Sequence, residues 1–333
     1  MVVRAVLGAG AVAAALGAVG AGISRRQPAL AAVAAIVAFV WGVVAGLFLL
    51  RALPSLPPTT GLDRFLVILL PVALAIEAEA AANWISGFWL TAERGCVALL
   101  AVPVLLHGSV WLEGETPAVV ILAAALFLWA SWEGITGDVR SSGDRVVALV
   151  TVGALVVAGL SIAMAGWLKG GLVALPLAGS LAGALLAEWG GGPTWRRGEV
   201  WSTPAGLPGL TAAGLVALFG LVVVGRCFGR LGSAAALLIL LAPLLAVLPL
   251  GIGRLLPDSA GQRLLRSARY RILLALVPLV IVVIVAKADF DTRLGRLVGE
   301  VSPPGPAAAE VSPGADPFKL SRTRGSASRR ARS

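Results

Sequence analysis

The stretch FLVILLPVALAIEAEAAANWI, which runs from Phe65 to Ile85, is apolar enough to lie in lipid yet contains two carboxylates, Glu77 and Glu79. Crossing the hydrocarbon core of a bilayer takes about 20 mostly apolar residues. An ionisable side chain at that depth costs about 2.5–3.5 kcal/mol on insertion scales, so it normally faces a partner or a water-filled cavity. The stretch therefore predicts a transmembrane helix that carries a polar site.

The rest of the chain has the same character. Of its 333 residues, 58% are hydrophobic and 13% are charged, whereas a soluble domain carries about 25% charged residues. The connections between apolar runs are short, which makes sequence neighbours antiparallel. We therefore expect an all-α polytopic integral membrane protein, a compact bundle of nine or ten transmembrane helices. The predicted spans are approximately Ala5–Ile23, Pro28–Leu50, Arg64–Ile85, Gly95–Leu112, Pro117–Thr136, Arg145–Leu168, Gly170–Trp189, Pro208–Phe228, Leu231–Leu256 and Arg271–Ala286.

Three regions follow from this pattern. Residues 1–27 form a first span and a basic loop; the span could also be a signal peptide, although Arg25 and Arg26 directly after it would resist translocation. Residues 28–287 form the multipass helical domain. Residues 288–333 form a basic tail rich in Pro, Ser, Ala and Arg, which has little to bury and is expected to be disordered.

Several function classes find no support in the sequence. Cys96 and Cys227 lie far apart in apolar runs, and with a single histidine the chain shows neither a disulfide framework nor a metal site. It contains no P-loop or Rossmann glycine pattern, so we expect no cofactor. The net charge of +10 lies mostly at the edges of apolar runs, which indicates membrane topology rather than nucleic-acid binding.

The first candidate site lies within the membrane. Glu77 and Glu79 are about 200° apart around a helix and cannot share a face. Glu77 is the deeper of the two, while Glu79 aligns with Asn83 one turn nearer the interface. If the third and fourth spans form a hairpin, Glu77 and His107 reach similar depths, which would suit a proton-linked pair. The alternative is a structural hydrogen bond between helices.

The second candidate is a polar rim outside the membrane. Its core is Glu133, Glu188 and the arginines of the loop EWGGGPTWRRGEVW, Arg196 and Arg197, which could hold a phosphate or carboxylate headgroup. The alternative is a solvated loop whose arginines only set the topology.

A third segment, LPDSAGQRLLRSARYR from Leu256 to Arg271, resembles a basic interfacial helix. Its residues Arg263, Arg266 and Arg269 would contact anionic lipid headgroups.

Function is the least determined property. Buried carboxylates, together with prolines near the middle of five spans, favour a permease for a small solute in a bacterial-type inner membrane. A membrane-embedded enzyme that acts on a lipid or lipid-linked substrate is the alternative, with the polar rim as its site. A non-catalytic scaffold subunit is a third possibility.

Orientation gives a first testable prediction. The odd-numbered loops contain more than twice as many Lys and Arg residues as the even-numbered ones, which predicts that the odd loops are cytoplasmic. Topology reporters placed after Arg26, Arg197 and Arg266 should report the cytoplasm, and a reporter after Glu113 should report the opposite side. Reporters after Glu113 and Arg266 on the same side would contradict the count of ten spans.

Overall fold

A computed structural model describes residues 2–24, 28–113, 118–142, 145–191, 206–255 and 267–299, and all regular structure in these ranges is helical. The helices are α1 Val2–Ser24, α2 Pro28–Leu50, α3 Gly61–Arg64, α4 Leu70–Ala82, α5 Gly87–Leu106, α6 Val110–Glu113, α7 Ala118–Ser142, α8 Arg145–Met164, α9 Leu168–Gly191, α10 Leu207–Phe228, α11 Ser233–Leu255 and α12 Ala268–Gly299. A π-helical turn, Phe65–Leu69, joins α3 to α4, so these three pieces make one continuous rod.

The all-α polytopic architecture is confirmed. Within the described ranges, nine helical segments are long and apolar enough to cross a membrane, the rod from α3 to α4 being one of them. The ninth span predicted from the sequence corresponds to α11, whose apolar part, Ser233–Pro249, is shorter than the other segments. The number of crossings is therefore nine without α11 and ten with it.

Helix α10 lies at the centre of the bundle. Of its apolar segment, 94% is buried inside the protein, and it packs against α2, α4, α5, α7, α8, α9 and α11. A helix surrounded by others needs small residues where backbones approach. Gly214 of α10 faces Leu181 and Thr151, Gly220 faces Phe65, and Gly225 faces Ile162.

Helices α1, α2 and α9 pack through small residues. The sequence predicts close helix contact at Gly179, Gly183 and Ala187 of α9, and the structure confirms it. A Cβ atom on Gly179 would lie 2.8 Å from the Val6 carbonyl oxygen, and one on Gly183 would collide with the Gly10 carbonyl oxygen. Helix α1 is thus an integral part of the helix packing.

Two boundaries differ from the sequence prediction. The fourth span begins at Gly87 rather than at Gly95, because Glu93 and Arg94, which resemble a loop in a hydropathy profile, lie inside α5. Helix α12 continues to Gly299, past residue 288 where the disordered tail was predicted to begin. The charged stretch after the membrane segment ends the apolar pattern without ending the helix.

Contacts divide the chain into two units, Met1–Phe290 and Asp291–Ser333. The first contains the helices of the bundle. Of the second, the structure describes the last part of α12, up to Gly299. The tail from residue 300 onwards lies outside the described residues, so its disorder stays a prediction.

The glycine contact between α1 and α9 yields a stability prediction. Gly183→Ala should lower the free energy of unfolding by about 1–3 kcal/mol, the usual cost of overpacking, because the new methyl group meets the Gly10 backbone. Gly134→Ala on α7 is the matched control, since a Cβ atom there meets nothing within 4 Å; it should be neutral or slightly stabilising. Thermal unfolding in detergent measures both, and equal melting temperatures would contradict the close α1–α9 contact.

Candidate functional site

Arg94 is a buried cation on α5. It lies seven residues after Gly87, the first residue of α5, and thus about 10 Å along the helix. Its side chain is only 2% exposed. A guanidinium carries five N–H donors and stays protonated in proteins, so burial is tolerated only when acceptors surround it. The residues that provide them come from α4 and α7.

Glu77 of α4 is the principal partner of Arg94. Its Oε1 atom accepts hydrogen bonds from Arg94 Nη2 at 2.7 Å and from Arg94 Nε at 3.0 Å. The indole Nε1 of Trp132, on α7, donates to the same oxygen at 2.7 Å. Glu77 is 1% exposed and Trp132 is fully buried. The carboxylate is therefore held by two helices at once, and its charge is balanced within the protein.

Glu133 and Thr136, both on α7, occupy the other side of Arg94. Arg94 Nη1 donates to Glu133 Oε2 at 3.1 Å and to Thr136 Oγ1 at 3.1 Å. The Thr136 hydroxyl donates a hydrogen bond to the Trp132 carbonyl at 2.7 Å. Its oxygen therefore acts as the acceptor for Arg94. The guanidinium carbon also lies 5.7 Å from the Trp132 ring centroid, within range of a cation–π interaction. We call Glu77, Arg94, Trp132, Glu133 and Thr136 the polar cluster.

The rod that carries Glu77 departs from regular α-helical geometry before this residue and ends shortly after it. Before Glu77, the chain passes through the π-helical turn Phe65–Leu69 and then Pro71. Such turns occur frequently at functional sites, and proline removes a backbone hydrogen bond. After Glu77, the helix ends at Asn83, which adopts the left-handed conformation with φ of 54°. Asparagine tolerates that conformation better than most residues, which allows the tight turn into α5.

The first turn of α10 lies beside the polar cluster. A Cβ atom on Gly209 would lie 3.6 Å from the Glu77 Cβ atom, within van der Waals contact, so α10 packs directly against the part of α4 that carries Glu77. Three residues earlier, the backbone N–H of Gly206 donates to the Glu188 carboxylate. An N-terminal turn favours negative charge through its unpaired N–H groups. Two carboxylates from different helices, Glu77 and Glu188, thus flank the start of the central helix.

The structure does not bring Glu77 and His107 together. His107 is exposed at the end of α5, and its backbone carbonyl accepts a hydrogen bond from Arg64 Nη1. Arg64 is at the opposite end of the rod from Glu77, which explains the separation. Glu79 is half-buried on another face of α4, as its spacing from Glu77 predicts, and Asn83 is exposed. The polar partners of Glu77 are therefore on α5 and α7.

The residues of the predicted rim lie in different parts of the protein. Glu133 belongs to the polar cluster and Glu188 to the α10 terminus, while Arg196 and Arg197 lie outside the described residues. Arg263 and Arg266 lie outside them as well. Arg269 is exposed at the start of α12. Arg271, two residues later, is 2% exposed and donates from Nε to the Ala246 carbonyl at 2.6 Å, so it is a packing residue.

Sequence reasoning missed three members of the cluster. Arg94 precedes by one residue the predicted start of the fourth span at Gly95, so it resembles a loop residue in the sequence. Trp132 lies near the end of the predicted fifth span, where tryptophan is typical of the membrane interface, whereas its side chain is completely buried. Thr136 carried no signal. One pattern was available: Trp132, Glu133 and Thr136 occupy neighbouring positions near the end of an apolar run, and so polar a group inside a span would demand a charged partner.

The chain matches no protein-family model, and no significant match to it occurs among curated proteins or solved structures. Of the described residues, no group of three or more His, Cys, Asp or Glu side chains could hold a metal ion. The chain is a multipass membrane protein, and the polar cluster is its candidate functional site.

The ion pair predicts how the cluster responds to mutation. Arg94→Leu should lower the free energy of unfolding by about 3–5 kcal/mol, because it leaves the Glu77 carboxylate buried without its cation. The double variant Arg94→Leu/Glu77→Gln should recover much of that loss, since Gln still accepts the Trp132 N–H without a charge. Glu77→Gln alone should be milder, because Arg94 keeps Glu133. Chemical unfolding in mixed micelles, analysed as a double-mutant cycle, measures the coupling; strictly additive effects would contradict it.

Proposed function

We propose that the chain is a permease for a small solute and that the polar cluster is its intramembrane site. One observation carries the proposal: Arg94 is buried within a span, about 10 Å along α5 from its first residue, and is held by carboxylates from two other spans. Charged groups inside transmembrane segments are costly, and they commonly mark solute or ion pathways. The cluster lies where three helices meet the first turn of a fourth, which is the kind of place where transporters bind their solutes.

The irregular geometry of the rod supports this function. Transporter sites are commonly built on discontinuous helices, and π-helical turns occur frequently at functional sites. Glu77 follows a π-helical turn and Pro71 on the same rod. Prolines also lie inside α5, α9, α11 and α12.

The two carboxylates of the cluster differ in hydrogen bonding and exposure. Glu77 has three hydrogen bonds to one oxygen, whereas Glu133 has one, from Arg94, and its side chain is 30% exposed. Glu133 is thus the part of the cluster that an entering solute meets first, while Glu77 keeps Arg94 in place.

We place the protein in a bacterial-type inner membrane with the cluster nearer the cytoplasmic face, where Arg269 contacts anionic headgroups.

Reconstitution tests the proposal. The full chain in proteoliposomes should give saturable, protein-dependent uptake or a current for at least one solute in a panel of sugars, polyols, amino acids, amines and organic acids. Arg94→Lys should reduce that transport about tenfold or more, because lysine keeps the charge but loses the fork that grips Glu77. Glu79→Gln, on another face of α4, is the control and should transport normally.

Two results would contradict the permease. Normal transport by Arg94→Lys would remove the cluster from the pathway. Turnover of a lipid by the detergent-solubilised protein, without uptake of any solute in the panel, would support the membrane-embedded enzyme instead. Each variant is first checked by size-exclusion chromatography and thermal unfolding, so that a loss of transport is not confused with a loss of fold.

A further inference from the structure

The charges of the polar cluster do not cancel. Among the described residues, Arg94 is the cation that forms ion pairs with Glu77 and Glu133, and Arg140 acts on Glu77 electrostatically without an ion pair to it. The cluster itself carries one excess negative charge when its three charged groups are ionised. Four of the five N–H donors of Arg94 are engaged, Nε and one of Nη2 with Glu77 and both of Nη1 with Glu133 and Thr136. An anion would find one remaining N–H, beside the Glu77 carboxylate, whereas a cation would be attracted by the excess charge of the cluster.

The excess charge resides on Glu133. Its Oε2 atom accepts from Arg94, but its Oε1 atom is buried and has no hydrogen-bond partner among the described residues. A buried carboxylate oxygen without a partner is costly, because its lost hydration is not replaced. The geometry thus presents an unused acceptor on the most accessible carboxylate of the cluster.

An unused donor lies one helical turn away. The indole Nε1 of Trp129 is also buried without a hydrogen-bond partner in the described structure. Trp129 precedes Glu133 by four residues on α7, so the two side chains share a face, with Cβ atoms about 5–6 Å apart. Across from the indole lies Gly95 of α5, where a Cβ atom would come no closer than 3.7 Å to Trp129 Nε1. The indole therefore faces the backbone of α5 at Gly95, with no side chain between them.

We infer that the α5–α7 seam at Trp129 and Glu133 binds a small monovalent amine that also carries an oxygen acceptor. The ammonium group donates to Glu133 Oε1, and the oxygen accepts from Trp129 Nε1. Ethanolamine, a two-carbon amino alcohol, carries both groups. Arg94 shows that this place accommodates an organic cation, since its guanidinium rests between carboxylates and near the Trp132 ring. The inference names the solute class for the proposed permease and rests on that function only for transport.

Equilibrium binding of radiolabelled ethanolamine to the full chain in dodecyl maltoside tests the inference without requiring transport. We expect saturable binding that Glu133→Gln weakens about tenfold or more, since it removes the charge from the ammonium's partner. The matched control Glu79→Gln should bind as the wild type does. Propylamine, which lacks the oxygen, should compete less well than unlabelled ethanolamine, and acetate should not compete.

A second variant keeps the test decisive if Glu133→Gln proves unstable. Trp129→Phe removes the indole N–H and should abolish the preference for ethanolamine over propylamine while retaining amine binding. Competition by phosphatidylethanolamine would identify a lipid headgroup as the source of the amine, and no such competition would identify a free amine. Unchanged affinity in Glu133→Gln, competition by acetate, or no saturable binding at millimolar concentration would overturn the inference. Binding without uptake would instead count against the permease alone.

Discussion

The structure depends on how a guanidinium is accommodated inside a membrane protein. Transferring an ion from water into a low-dielectric interior costs several kcal/mol even after relaxation, and only well-placed opposite charges and hydrogen bonds offset that cost. Arg94 meets the condition with Glu77, Glu133 and Thr136, drawn from two other helices. The same contacts fix α4, α5 and α7 relative to one another, because none of these side chains can rotate away without leaving a buried charge unpaired.

Close packing of small residues dominates the remainder of the bundle. In lipid the hydrophobic effect does not draw apolar helices together, so association relies on van der Waals contact and hydrogen bonds. Helix α9 meets α1 at Gly179 and Gly183, where backbone touches backbone, and α10 is enclosed through Gly209, Gly214 and Gly220. The two kinds of contact meet near Gly209, where the first turn of the central helix packs against Glu77.

Two kinds of contact hold different parts of the bundle. Helices α1, α2 and α9 interlock through glycine and alanine, which leaves no gap for a side chain. The rod from α3 to α4 contains a π-helical turn and Pro71, and Glu77 on it is tied to two neighbouring helices by an ion pair and hydrogen bonds. Breaking the ion pair would leave a buried charge unpaired, so both kinds of contact hold their helices firmly.

The amino-acid sequence by itself determined the class of the protein and most of its helices, because lipid imposes one rule on every residue: about 20 apolar side chains and an internally bonded backbone. It also identified Glu77, since a carboxylate in such a run is conspicuous. The partners of Glu77 were beyond its reach. His107 was expected at the depth of Glu77, yet it lies at the far end of α5, beside Arg64. Near the start of α5 the rotation of the helix turns Arg94 inwards, and Trp132 enters from a helix that is distant in the sequence. Helical rotation is set by packing against all neighbours together, so only the tertiary structure decided which charges meet.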